Sequence, residues 1–229
     1  MDSGAAISAR QRAILDEMGI GVWVRRNRPV PAAQSPAAGV PEEGAWEHLQ
    51  EAVRHCVACA LHRSRTQAVF GTGSVAARWM IVGEAPGAEE DRQGEPFVGA
   101  AGKLLNEMLR AVGVERDAVF IANVLKCRPP DNRDPRPDEI SACAGHLQAQ
   151  IARIAPKLIL AVGRIAAQSL LQQEVSLARL RGRAHGWGPA AIPLVVTYHP
   201  AYLLRAPAEK RKAWEDLCLA RSLVDPRSP

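Results

Sequence analysis

W-M-I-V-G-E-A-P-G-A-E-E-D-R-Q-G-E-P-F-V-G-A-A-G-K-L-L-N-E-M-L, residues Trp79–Leu109, is the stretch on which the fold turns. Its first four residues, Trp79–Val82, have the length and apolar, partly β-branched character of a buried strand. The run breaks at Gly83, with Glu84, Pro86 and Gly87 close behind. A strand ending in Gly-rich backbone places main-chain N–H groups (here around Gly83–Ala85) and a carboxylate at the carboxyl edge of a sheet, where α/β proteins bind ligands. Ala88–Gly99 then reads as an acidic, Gly-punctuated loop. Helical spacing returns with Ala101, Leu104, Leu105, Met108 and Leu109 on one face. Strand, loop and helix are expected to hold Glu84, Glu90, Asp91 and Phe97 around one pocket mouth. Taken by itself such a unit is a generic ligand loop, and G-E-A-P-G is not the G-x-G-x-x-G of dinucleotide folds.

Moving outward, three more short apolar runs have strand character: Val119–Val124, Lys157–Val162 and Leu194–Tyr198. Helical patterns separate them. One starts at Pro137-Asp138-Glu139, with proline early and acids in the first turn, and brings Ile140, Cys143, Leu147 and Ile151 onto one face. Another covers Arg164–Gln173, and a last one, about Ala208–Val224, is expected to pack through Trp214, Leu217 and Cys218. Arg128–Pro137 and Leu180–Pro189 read as irregular, basic segments. Strands alternating with helices predict a three-layer α/β/α fold with a central four-stranded parallel sheet. In that fold Glu84, Asn123 and His199 all fall at or just after strand ends, so one sheet edge collects them.

The chain has 229 residues, 47% of them hydrophobic, enough for a substantial core. Its formal charge of +5 suits a polyanionic partner such as nucleic acid, although basic charge alone is a weak signal. No run approaches the roughly 18 apolar residues of a membrane span, and no signal-peptide core stands at the N-terminus, so a cytosolic protein, bacterial in its cytosol or nucleoid, is expected. A reducing compartment disfavours disulfides and turns attention to metal or cluster ligation. Cys56 and Cys59 form a C-x-x-C, Cys127 follows, and Cys143 comes fifteen residues beyond it. By spacing, four thiolates serve an iron–sulfur cluster or a structural zinc equally well, with His62 available as a substitute ligand for zinc. Cys218, the fifth, reads as a core residue of the last helix. Residues 1–28 hold a short amphipathic peptide, 29–44 a Pro/Ala-rich linker, and 45–229 the folded domain, opening with a helix that points Trp46, Leu49 and Val53 inward.

The full string G-E-A-P-G-x-E-E-D-x-x-G-x-P-F-V-G-x-A-G-x-L-L resembles the first active-site motif of the family 4, iron–sulfur uracil-DNA glycosylases. N-V-L-K-C-R-P-P (Asn123–Pro130) is similar to the family's second block, H-P-A-Y-L-L-R (His199–Arg205) to its second catalytic motif, and the four cysteines to its cluster ligands. The resemblance implies excision of uracil from DNA, with Phe97 stacking on the extruded base and Asn123 reading it. It further implies that Glu90 lines the side where the methyl of thymine would clash, and that Glu84 and His199 are catalytic. Leu203 would wedge into the vacated stack, Arg205 would contact phosphate, and Cys56, Cys59, Cys127 and Cys143 would hold a [4Fe–4S] cluster. A monomer is expected.

One relative traps uracil-DNA covalently through a histidine placed after the base-reading strand. No histidine lies between Asn123 and Pro137 here, and Ala85 stands where that relative carries Gln, so hydrolysis with turnover is expected. A cluster- or zinc-bearing DNA-binding module without catalysis is the rival of a different class. Q-x-x-x-L-x-x-M-G-I-x-x-W-x-x-R (Gln11–Arg26) resembles the N-terminal peptide of the psi subunit of bacterial clamp loaders, which implies a replication-machinery contact.

Overall fold

The computed structural model describes residues 44–225. The amphipathic peptide and nearly all of the linker expected over residues 1–44 lie outside that range.

Four parallel strands form the centre of the sheet: β2 (Trp79–Gly83), β3 (Val119–Asn123), β4 (Leu158–Val162) and β6 (Ile192–Thr197). They are the four runs expected from the sequence, but the sheet has six strands. Two short antiparallel ones, β1 (Thr72–Gly73) and β5 (Ala184–Trp187), cap its edges in the order β1-β3-β2-β4-β6-β5. Both escape a periodicity argument. β1 is two residues long, and its Gly73 has φ +117°, packed so closely on Val119 that a Cβ would overlap the Val119 carbonyl. β5 is A-H-G-W, inside a segment read as a loop, and it pairs with β6 through a tight turn closed by Ala191 N–H donating to the Gly188 carbonyl at 3.1 Å.

Alternation along β2 builds the two core layers. Trp79 and Ile81 face a cluster with Leu105, Leu109, Leu203 and Leu217; Met80 and Val82 face one with Phe120, Leu147, Ile151 and Ala166. The first layer is supplied by α3 (Ala100–Ala111), α7 (Pro200–Arg205) and α8 (Lys210–Val224), the second by α4 (Pro137–Ile154) and α5 (Arg164–Leu171). Before them α1 (Ala45–Arg54) lays Trp46 edge-on against Phe70 and Phe120, with centroids 5.0 and 5.4 Å away. The helix α6 (Leu177–Leu180) precedes β5. Among the described residues no helix is long and apolar enough to cross a membrane.

Two local expectations change. The acidic stretch is not all loop: Ala88–Gln93 is a helix, α2, started by Glu90 accepting the Gly87 N–H at 3.1 Å and stopped by Gly94 at φ +80°. In α8 the buried face is Ala213, Asp216, Leu217, Ala220 and Val224. Small alanines let this helix lie close on the sheet, and that rotation leaves Trp214 and Cys218 exposed rather than in the core.

Candidate active site at the carboxyl edge of the sheet

Gly83 and Asn123 end β2 and β3 in register, so their side-chain positions are neighbours. A Cβ on Gly83 would lie 2.7 Å from the Phe97 ring and closer still to Asn123 Oδ1. Glycine there is what allows the ring and the amide to meet over the strand end. Phe97 is held in the left-handed region, at φ +55°, an uncommon conformation for a bulky residue. Its backbone occupies the space in which Gly102 lacks a Cβ. The phenyl ring stacks on the His199 imidazole, with centroids 5.5 Å apart and planes inclined by 29°. Three expected residues from three segments thus meet at the strand end.

Asn123 is almost wholly buried, and among the described residues its Oδ1 has no hydrogen-bond partner. An orphan buried acceptor costs about 1–3 kcal/mol, so its presence at the strand end beside Phe97 suits an incoming N–H.

His199 caps α7. The Ala201 N–H donates to its Nδ1 at 3.2 Å, which leaves the single proton of the neutral ring on Nε2. Burial, assisted by the Arg205 charge, lowers its pKa to about 4, so the ring is neutral at physiological pH. Glu84 is driven the other way: burial first, then the negative Asp134, raise its pKa to about 7, while Arg164 opposes the rise. Arg164 and Asp134 form a 2.6 Å ion pair beside it. Neither is marked in the sequence, since an Asp in a Pro-rich segment and an Arg after Gly163 carry no local signature.

Of the two acids expected at the pocket mouth, Glu90 lies near enough to His199 for its charge to act on the imidazole, while Asp91 is taken up by main-chain N–H groups. Glu90 accepts the N–H groups of Gly87, Val98 and Gly99, tying both ends of the loop that presents Phe97. Asp91 is buried and accepts the Thr66 and Gln67 N–H groups at 2.9 to 3.5 Å, away from the strand ends. Ala85 packs against the cluster of Leu61, Leu125, Cys127 and Cys143. On α7 the side chain expected to act as a wedge is not at the surface. Leu203 is 1% exposed and belongs to the core, whereas Leu204 is 46% exposed. Helical geometry forces the difference, since successive side chains point about 100° apart. Tyr202 and Arg205 are also exposed.

Cys56, Cys59, Cys127 and Cys143 line one cavity, together with His62, Lys126 and His146. Among the described residues no three Cys, His, Asp or Glu side chains approach closely enough to hold a metal ion; the four sulfurs border a space instead. Burial pushes the Cys143 thiol up to about 11 and raises that of Cys127. Donors nonetheless point at both sulfurs: Arg65 Nη1 lies 2.9 Å from Cys127 Sγ, and the Lys126 N–H 3.3 Å from Cys143 Sγ. His62 turns its Nδ1 to the Cys59 carbonyl, 2.7 Å away.

The model of the uracil DNA glycosylase superfamily matches residues 70–218. The type-4 uracil-DNA glycosylase of Thermotoga maritima is 44% identical over 187 residues, 80% of this chain and 96% of that protein. That of Sulfurisphaera tokodaii is 45% identical over 185 residues, 78% of this chain and 84% of its own length. A type-5 uracil-DNA glycosylase of Pyrobaculum aerophilum matches more weakly, at 30% over 148 residues. By the extent of these matches, the chain belongs to the uracil DNA glycosylase superfamily, alongside its type-4 members.

Proposed function

We propose that the protein excises uracil from DNA in base excision repair, hydrolysing the N-glycosidic bond and leaving an abasic site. The observation that carries this reading is the buried Oδ1 of Asn123, without a partner among the described residues, beside a fixed aromatic ring and a neutral histidine. Uracil fits that set. Its N3–H can donate to Oδ1, its O4 can accept from the Asn123 amide, and its ring can lie against Phe97. Cytosine presents the reverse polarity at both positions and would leave buried groups unsatisfied.

Breaking the bond between uracil N1 and sugar C1′ sends the electron pair into the base and leaves positive charge on the sugar. His199 Nε2–H donates to uracil O2 as negative charge gathers there, an oxyanion-hole role that needs a neutral ring. Glu84, once ionised, faces the sugar cation and orients the water that adds to C1′; the proton released by that water leaves to solvent. Glu90 acts by bracing the Phe97 loop. Leu204, not Leu203, is the exposed apolar side chain suited to the vacated stack, with Arg205 beside it for phosphate.

The cofactor of this reading is a [4Fe–4S] cluster on Cys56, Cys59, Cys127 and Cys143. Support comes from four cysteine sulfurs bordering one space and from N–H donors aimed at two of them, an arrangement that suits thiolates holding a group larger than one ion. When bound, the cluster supplies cross-links among three chain segments. For partners, the likeness of Gln11–Arg26 to a clamp-loader peptide supports docking at the replication machinery, and a bacterial cytosolic setting goes with it.

The test is strand scission after alkali on a labelled oligonucleotide carrying one uracil, with thymine and cytosine controls. Cleavage confined to uracil, and lost in His199→Ala, is expected. A denaturant-stable adduct without cleavage would identify a covalent trap, and neither cleavage nor adduct a binding module. Iron with acid-labile sulfide in the purified protein is expected; stoichiometric zinc would overturn the cluster.

A further inference from the structure

Lys126 lies three residues beyond the end of β3 and is 1% exposed. Removing an ammonium from water costs several kcal/mol unless acceptors surround it, so a lysine kept in such a place has a task that methionine could not perform. Its Nζ donates to the main-chain carbonyl of Asn123 at 2.9 Å and to Gln150 Oε1 at 2.6 Å. Gln150, fully buried on α4, passes the chain on by donating to the Phe70 carbonyl at 2.9 Å. Both acceptors of the ammonium are neutral oxygens.

The same few residues are pinned from the other side. The Val124 N–H donates to the Gly83 carbonyl at 2.9 Å, and the Leu125 N–H to the Glu84 carbonyl at 3.0 Å. Lys126 itself spans from this segment to the cysteine wall, where its main-chain N–H meets Cys143 Sγ. The peptide that follows Asn123 is therefore clamped by its carbonyl to Lys126 and by its N–H to β2. Fixing that peptide fixes the direction in which the Asn123 side chain leaves the backbone, and hence where its amide meets a base.

We propose that Lys126 is a positioning residue for the base reader: its ammonium, anchored by Gln150, holds the Asn123 main chain so that the side-chain amide meets the extruded base in register. The proposal rests on the uracil-excising activity argued above. Lys126 touches neither base nor sugar; it acts through Asn123. It also makes the wall of the cysteine cavity and the base-reading pocket two faces of one hydrogen-bonded unit.

The experiment compares wild type, Lys126→Met and Lys126→Met/Gln150→Leu as full-length protein. It measures kcat/KM on uracil DNA, inhibition by free uracil, affinity for abasic-site DNA, iron per chain and Tm. Lys126→Met is expected to lower kcat/KM by about 10- to 100-fold, the scale of a slight misplacement in a site, and to weaken free-uracil inhibition in parallel. Abasic-DNA affinity and iron content stay at wild-type levels. The double variant exchanges the orphaned Gln150 Oε1 for an orphaned Phe70 carbonyl, so its Tm stays close to that of Lys126→Met, with activity and uracil affinity equally low. Recovery of activity together with Tm, unchanged inhibition by uracil, or loss of iron in both variants would each overturn the proposal. A wild-type protein that releases no uracil would strike the underlying activity instead.

Discussion

At the scale of single residues, the site is a set of polar groups denied their usual partners. Asn123 keeps an acceptor dry, His199 is stripped of its charge, and Glu84 is pressed toward neutrality. Replacing Asn123 by Asp presents two acceptors, which suit cytosine N4–H₂ and repel uracil O4. In Asn123→Asp the uracil rate should fall while the ratio of cytosine to uracil excision rises, read on paired oligonucleotides. An equal loss on both bases would remove Asn123 as reader. The pH profile follows from the other two groups. With Glu84 needed as the anion and its pKa near 7, kcat/KM should climb through neutrality and level off above it. His199, neutral above about 4, should add no second limb in that range. Stability runs against activity. A carboxyl with a raised folded pKa binds its proton more tightly in the native state, so its contribution is fully present below about 4.5 and is lost as pH rises through about 7. Glu84→Gln should therefore raise Tm at pH 8 with little change at pH 4, while abolishing turnover. A Tm gain of equal size at both pH values would show that the burial of charge is not its cause.

At the scale of elements, each of the strands that carry the site ends where its function begins, and the helix or loop that follows presents the chemistry. That logic was legible. The apolar runs give the strands, and Gly83, Asn123 and His199 sit at the breaks. The facing of short helices was not legible. In α7 the choice between Leu203 and Leu204 depends on which side packs on α3, and the two residues look alike in sequence. The pair makes a clean experiment. Leu203→Ala should cost about 2–5 kcal/mol of stability, as other buried leucines do. Leu204→Ala should leave Tm within a degree or so of wild type and lower kcat/KM on duplex DNA, with a smaller effect on single-stranded DNA, where no stack has to be filled. If Leu204→Ala excised uracil from duplex and single strand with unchanged efficiency, the helix would contribute no wedge. A parallel limit holds in α8, where Ala213 and Ala220, not the conspicuous Trp214, define the buried side.

At the scale of the whole molecule, the parallel core could be anticipated because strands buried on both faces write themselves as continuous apolar runs. Edge strands and braces could not. β1 and β5 are fixed by the neighbours they pair with, and Asp91, Lys126 and Gln150 owe their importance to partners 24 to 25 residues distant in the chain. What completes a site from afar leaves no local pattern. The same consideration separates the glycosylase from its N-terminal extension. The described residues belong to one compact unit, and the superfamily model begins only at residue 70, so every group assigned to base reading and cleavage lies after the linker. On the present reading the use of the peptide Gln11–Arg26 is to hold the enzyme near replicating DNA. A tether of this kind raises local concentration without altering the chemistry. Deleting residues 1–40 should leave kcat/KM on a short uracil oligonucleotide within about twofold of wild type, a change too small to represent a lost contact to the reacting groups. The same deletion should abolish co-elution with a purified bacterial clamp loader, which the full chain should show. Retained co-elution after deletion would place the contact on the folded domain. A large fall in kcat/KM would instead make the first forty residues part of the DNA-binding surface, and the tether would be the wrong description.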